Sequence, residues 1–189
     1  FIAMDEIRGF NRDSRAIKSG LSNSQTLGKF LNNMIDTIQK YNAETKVLIW
    51  DDMINPYHNG GIEYYQPTYG GQPGESWPAL LHLREGAIPI CWWYDYNDYY
   101  NKMKLSPSLF EALDYEYFIA PTSKIDNIKY WSSIGEQNSP LGMIDCLFYS
   151  YMEIHDRIEN VSMYSWNTIK DGFPEAPNSW DKDKDRMLN

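Results

Sequence analysis

The sequence has little of what marks a charge-driven or metal-driven protein. Its 189 residues include 17 Lys and Arg against 26 Asp and Glu, a net charge of −9. No basic run offers a footprint for a phosphate backbone, so nucleic acid is excluded as an expected partner. The three histidines, His58, His82 and His155, are scattered without metal-ligand spacing, and no metal is expected. Two cysteines, Cys91 and Cys146, each lie inside an apolar run. They fit neither a disulfide scaffold nor a metal motif and read as buried thiols. No stretch reaches the roughly 18 apolar residues a membrane span needs, and the first residues show no basic region leading into an apolar one; membrane insertion is not expected. The Gly-x-Gly-x-x-Gly signature of a dinucleotide site is also missing, and no cofactor is expected.

What is present is apolar and aromatic. An apolar content of 42% is enough for a sizeable core. Of the aromatic residues, 15 are Tyr and 7 are Trp, and many stand beside Asp or Asn, a pairing that suits a wet, concave binding site. Five short runs rich in β-branched and aromatic residues read as strands: Phe1 to Glu6, Lys46 to Asp52, Ala87 to Tyr94, Tyr115 to Pro121 and Leu141 to Tyr149. Between them lie helical patterns. Leu27, Phe30, Leu31, Met34, Ile35 and Ile38 recur at three- and four-residue steps behind cap residues at Ser22 to Ser24. Trp77 to Glu85 is Leu-rich; Pro107 to Leu113 follows Ser106 as N-cap with proline at the first helical position. Asp126 to Ile134 is a further helix candidate, and Met152 to Ile169 carries Ile154, Ile158, Val161, Ser165 and Trp166 on one face.

Strand and helix thus alternate, which predicts an α/β fold with a parallel sheet and functional loops at the carboxyl ends of its strands. At about 30 residues per βα unit, this chain accommodates about five units, a partial (β/α)₈ barrel over residues 1–170, with 171–189 as a surface extension or linker. An open doubly wound sheet is the alternative. Phe1-Ile2-Ala3-Met4 reads as a strand already under way. The chain is therefore expected to be part of a longer polypeptide or to pair with a second chain, since a half-barrel alone leaves two open edges and an exposed interior.

Each apolar run closes in groups that ionise, hydrogen-bond or stack: Asp5-Glu6, Trp50-Asp51-Asp52, Trp92-Trp93-Tyr94-Asp95, Pro121-Thr122-Ser123, and Asp145 with Phe148-Tyr149. Carboxylates and aromatics on one rim suit sugars, which present both hydroxyls and flat C–H faces. Glycosidic cleavage also needs an acid beside the leaving oxygen and a negative group supporting an oxocarbenium-like charge. Adjacent strand residues point to opposite faces, so Asp5 and Glu6 can share a site only if the strand bends or ends there. For the same reason one of Trp92 and Trp93 should meet outer helices and the other the interior or rim.

In order and rim chemistry, Phe-Ile-Ala-Met-Asp-Glu-Ile (1–7), Val-Leu-Ile-Trp-Asp-Asp-Met (47–53), Trp-Trp-Tyr-Asp-Tyr (92–96) and the Gly142 strand with Tyr-Ser-Trp-Asn (164–167) behind it resemble strands four to eight of the family-20 glycoside hydrolases, the β-N-acetylhexosaminidases. The resemblance covers most of the chain. It implies Glu6 as general acid/base and Asp5 as the residue that orients the substrate's own 2-acetamido group as nucleophile. It also implies a substrate-binding set of Trp50, Asp51, Trp93, Tyr94, Asp95 and Tyr96; Tyr94 or Tyr96 with Asp95 or Asp98 matches the family's Tyr-x-Asp. The implied partner is a glycan, and a secreted or lysosome-like compartment is the one the resemblance favours. The chain departs from the family where His-x-Gly-Gly precedes Asp-Glu, having Phe1, Ala3 and Met4 there, and where a strand-eight Trp is replaced by Leu147 or Phe148. The seventh-strand run has no carboxylate beyond Glu116, at its start, which fits substrate assistance better than a strand-seven nucleophile. A silent barrel that binds glycan or serves as a structural subunit is the competing expectation. Arg8, Arg12 and Arg15 read as solvated loop charges, and His58 as a loop residue within reach of a ligand.

Overall fold

The computed structural model describes residues 1–7, 11–61, 75–94, 100–122, 124–146 and 154–165. Asp95, Tyr96, Asp98, Leu147, Phe148, Trp166 and the extension 171–189 lie outside them. The described chain is mixed α/β, built on a three-stranded parallel sheet: β1 (Val47–Trp50), β2 (Ala87–Trp92) and β3 (Phe118–Ala120), in sequence order. The register runs Val47 against Ala87 through Trp50 against Ile90, then Ile90 against Phe118 through Trp92 against Ala120. Pro89 sits inside the central strand but ahead of the first β3 partner, so its missing N–H takes nothing from that ladder.

The first and last predicted strands are present only as single parallel bridges at the sheet's two edges. Ile2 pairs with Ile49, its N–H donating to Leu48 O at 2.8 Å. Met143 pairs with Ile119, where Ile144 N–H donates to Ile119 O at 2.8 Å. Five extended segments therefore run parallel in chain order, three of them as regular strands.

Helices intervene between these segments. After a short α1 (Ser14–Ser19), α2 (Asn23–Gln39) begins at a capping box, in which Ser22 Oγ accepts from Gln25 N–H and the Gln25 side chain accepts from Ser22 N–H. Leu27, Leu31 and Ile35 are its buried stripe, while Phe30 and Met34, expected on the same face, are exposed. Trp77–His82 is a 3₁₀ turn rather than the expected α-helix: its buried residues, Ala79 and Leu80, are adjacent instead of spaced by a helical turn.

The larger correction is α3 (Tyr100–Ala112), which runs straight through Pro107 instead of starting there. Met103 and Phe110, seven residues apart on one face, are both fully buried, and that packing holds the helix across the missing hydrogen bond. Ser106 is not a cap; it is buried, and its Oγ accepts from Asn55 Nδ2 at 2.6 Å. α4 (Ile125–Gln137) packs Ile128, Tyr130, Trp131 and Ile134 inward. α5 (Ile154–Ser165) docks on α4 with Val161 buried, whereas Ile158, expected on the same face, is exposed.

Alternation along the strands sorts side chains onto two faces. Ile2, Val47, Ile49, Ala87, Cys91, Trp93, Tyr117 and Ile119 join the main core with α2, α3 and α4. Ile90, Trp92 and Ala120 form a second cluster with Leu48, Trp50, Tyr94, Phe118 and Ile144, to which no helix contributes among the described residues. Within the described residues no helix is long and apolar enough to cross a membrane.

Candidate functional site

The carboxyl end of the sheet is where the polar residues gather, because strands stop there with donors and acceptors that no neighbouring strand completes. Asp51 completes one. Its own N–H still donates to Ile90 O at 3.1 Å, but β1 has ended, and the next N–H of β2, from Trp92, donates instead to Asp51 Oδ1 at 3.3 Å. Asp51 Oδ2 accepts from Asn55 Nδ2 at 2.6 Å. This carboxyl is fully buried, and burial, opposed by the Asn55 hydrogen bond, pushes its pKa well above the ordinary carboxylate value. Both oxygens of Asp51 are thus occupied inside the protein, not presented to a ligand as its expected substrate-binding role required.

Asp52 is equally buried and reaches the other way. Its Oδ2 accepts from Glu6 N–H at 2.8 Å and from Asn59 Nδ2 at 3.0 Å, and its backbone carbonyl accepts from Gly60 N–H at 2.6 Å. Its Oδ1 is buried with no hydrogen-bond partner among the described residues. Burial raises the carboxyl's pKa to about 7, with Asp5 and Glu6 adding repulsion. The loop that follows must pass close to these groups. A Cβ on Gly60 would lie 2.7 Å from Met53 O, and one on Gly61 would collide with Pro56 O, so both positions require glycine.

Asp5 and Glu6 close the edge segment. Its alternation sends Ile2 and Met4 to the helix-side core, which leaves Phe1, Ala3 and Asp5 on the other face. Phe1 meets Trp50 edge-on at 5.3 Å on that face. At Glu6 the alternation breaks: its φ is +47°, left-handed backbone that a non-glycine residue adopts at a cost of about 1 kcal/mol. The bend on which a shared Asp5–Glu6 site depended is therefore present. Charges on both residues also raise the pKa of the Tyr94 phenol, although burial and the contact of Tyr94 Oη with Cys146 Sγ at 3.2 Å are the larger causes.

Trp50, Trp92 and Tyr94 share the face free of helices. Trp92 and Tyr94 rings lie 4.8 Å apart at 40°, and the Trp92 Nε1 is buried without a hydrogen-bond partner among the described residues. Trp93, the tryptophan assigned to substrate from the sequence, is in the helix-side core, where its backbone carbonyl accepts from Asn127 Nδ2 at 2.7 Å and Trp131 Nε1 at 3.2 Å. Residue parity decides this: the ring beside Trp50 and Tyr94 is that of Trp92.

His58 stands in the loop after β1 as expected, but its ring is buried, edge-on to Trp92 at 4.4 Å and to Trp93 at 3.8 Å. Neither cysteine is in a disulfide among the described residues: Cys91 is a buried thiol, and Cys146 is only partly buried and meets Tyr94. Arg15 is an exposed partner of Asp13 at 3.5 Å on α1. Glu116 bridges Lys46 at 3.4 Å, near the amino ends of β1 and β3 and away from the site. Asn55, Asn59, Ser106 and Asn127, which frame the site by hydrogen bonds, carry no sequence signal of their own. No group of three or more His, Cys, Asp and Glu among the described residues is arranged to hold a metal ion. Comparison with protein-family models, with curated proteins and with solved structures returns no match for this chain.

Proposed function

We propose that the chain is part of a (β/α)₈ barrel that removes terminal β-linked N-acetylhexosamine residues, completed by further strands from the same polypeptide or a second chain. In this reading Glu6 protonates the leaving oxygen, Asp5 holds the substrate's 2-acetamido group as internal nucleophile, and Trp50, Trp92 and Tyr94 flank the sugar. The observation that carries it is the bend at Glu6, which ends the strand's alternation where two carboxylates adjoin an aromatic face. The five parallel segments in chain order support the barrel. A sugar offers C–H faces to the rings and hydroxyls to the Trp92 indole N–H, a buried donor without a hydrogen-bond partner among the described residues.

That donor also favours a second reading, in which the same face binds a glycan without cutting it. The test is hydrolysis of chromogenic β-GlcNAc and β-GalNAc glycosides by the native protein beside its Glu6→Gln variant, which keeps the shape and removes the acid. Turnover abolished by that change supports the hydrolase. Absence of turnover in both forms, with sugar binding retained, supports the binding barrel.

A further inference from the structure

A left-handed residue persists only where its surroundings hold it, and Glu6 is anchored from one direction. Its N–H donates to Asp52, 46 positions along the chain on the loop after β1. The same Asp52 oxygen accepts from Asn59, and the Asp52 carbonyl accepts from Gly60, so one residue ties the edge segment to a loop that glycine alone can close. Nothing about this contact is local, and Asp52, being fully buried, is not a ligand contact itself.

We propose that Asp52 is a positioning residue for the Asp5–Glu6 pair, its side-chain oxygen fixing the Glu6 peptide and hence the direction in which the two carboxylates point. This rests on the reading of Asp5 and Glu6 as the reacting pair, but the latch is a physical statement that can be tested without turnover. Oδ1, which has no hydrogen-bond partner among the described residues, defines how it works. Oδ2 takes both donated hydrogen bonds, so a proton on the carboxyl resides on Oδ1, and the latch survives protonation. Burial of the carboxyl and the acidic groups beside it, Asp5 and Glu6, favour the neutral form. An amide oxygen at position 52 can accept the same two hydrogen bonds; a methyl group cannot.

The test compares the native protein with Asp52→Ala and Asp52→Asn by amide hydrogen exchange at Glu6 and by steady-state kinetics on the chromogenic glycosides. The expected result for Asp52→Ala is at least tenfold faster exchange at Glu6 with β1 to β3 unchanged, and kcat lowered about tenfold while KM stays within about threefold. Asp52→Asn should restore both. Exchange at Glu6 within twofold of wild type in Asp52→Ala overturns the proposal, as does an Asp52→Asn variant that fails to restore protection. Equal losses in kcat and in folded fraction, with KM unchanged, would reduce Asp52 to a structural residue and overturn it too. Where Asp52→Ala does not fold, the through-hydrogen-bond coupling between the Glu6 amide and the Asp52 carboxyl carbon in the wild-type protein decides: its absence overturns the latch. A wild-type protein that shows the latch but no turnover sinks the hydrolase reading alone.

Discussion

The two faces of the sheet are built from alternate residues of the same strands, yet they are finished differently. On the helix side, Ile49, Cys91 and Ile119 are buried in the core with α2, α3 and α4, and the Trp93 carbonyl accepts hydrogen bonds from Asn127 and Trp131. On the other side, Trp50 and Tyr94 remain only partly buried, the Trp92 indole N–H has no hydrogen-bond partner among the described residues, and the nearby loop ends carry Asp5, Glu6 and Asp52. One face is packed under helices; the other keeps partly buried aromatic rings that no helix covers among the described residues, and the proposed glycan site rests on that difference.

The comparison breaks if the helix side tolerates truncation. Trp131 is fully buried and its Nε1–H donates to Trp93 O, so Trp131→Ala loses both a large packed ring and a hydrogen bond that anchors the end of β2. The expected loss is about 4–5 kcal/mol in chemical denaturation, near the upper end for aromatic-to-alanine core changes. A loss below about 2 kcal/mol would mean that α4 is loosely docked.

Where the two faces meet, at the strand ends, stability should depend on pH through Asp52. Its carboxyl rises from 3.8 in the unfolded chain to about 7 in the fold, so between those values the folded state keeps a proton that the unfolded state has released. Unfolding is then favoured as pH rises: the stabilisation is fully present below about 3.8 and lost by about 7, on the order of up to 4 kcal/mol. Urea titrations from pH 4 to pH 8 should show this fall, and Asp52→Asn should flatten much of it. Asp51, shifted in the same direction, leaves a residual slope that Asp51→Asn with Asp52→Asn removes. Stability that instead climbs steadily across this window would mean that Asp52 is ionised in the fold.

The short apolar runs made the strands and their order legible, because a strand covered on both faces is rich in β-branched and aromatic residues whether or not the neighbouring strand is known. That pattern could not say which of Trp92 and Trp93 faced the helices, since parity alone is symmetric until one partner is fixed; Cys91 beneath the helices and Trp50 on the other face break the tie. Local signals misled where tertiary packing was stronger. Ser106-Pro107 has the chemistry of a helix start, yet the burial of Met103 and Phe110 carries α3 through it. The framework of the site was not legible at all. Asn55 and Ser106 lie 51 positions apart, Asn127 and Trp93 lie 34 apart, and a hydrogen bond between two ordinary polar residues has no sequence pattern.

Ser22→Ala sharpens the contrast at a smaller scale. Its hydroxyl caps the helix whose buried stripe shares the main core with Ile2, Val47 and Ile49, and the loss should be about 1 kcal/mol, with the reciprocal Gln25 hydrogen bond limiting the damage. A thermal midpoint lowered by several degrees with unchanged sugar binding would place the effect wholly on the helix side.

The smallest expected effect on stability is also the one that separates the faces most clearly. Trp50 stands at the end of β1, partly buried, with the exposed Phe1 ring as its edge-on neighbour. Part of its surface is already wet, so truncation to Ala removes less water-excluded area than at Trp131, and the expected loss is about 1 kcal/mol or less. A sugar stacked on that indole would lose a contact with no substitute, because Trp92 and Tyr94 are engaged with each other at 4.8 Å. Trp50→Ala should therefore weaken binding of N-acetylglucosamine at least tenfold, about 1.4 kcal/mol, in a protein whose denaturation curve barely moves. If stability collapses while binding persists, Trp50 is a packing residue, and the division of labour between the two faces fails there.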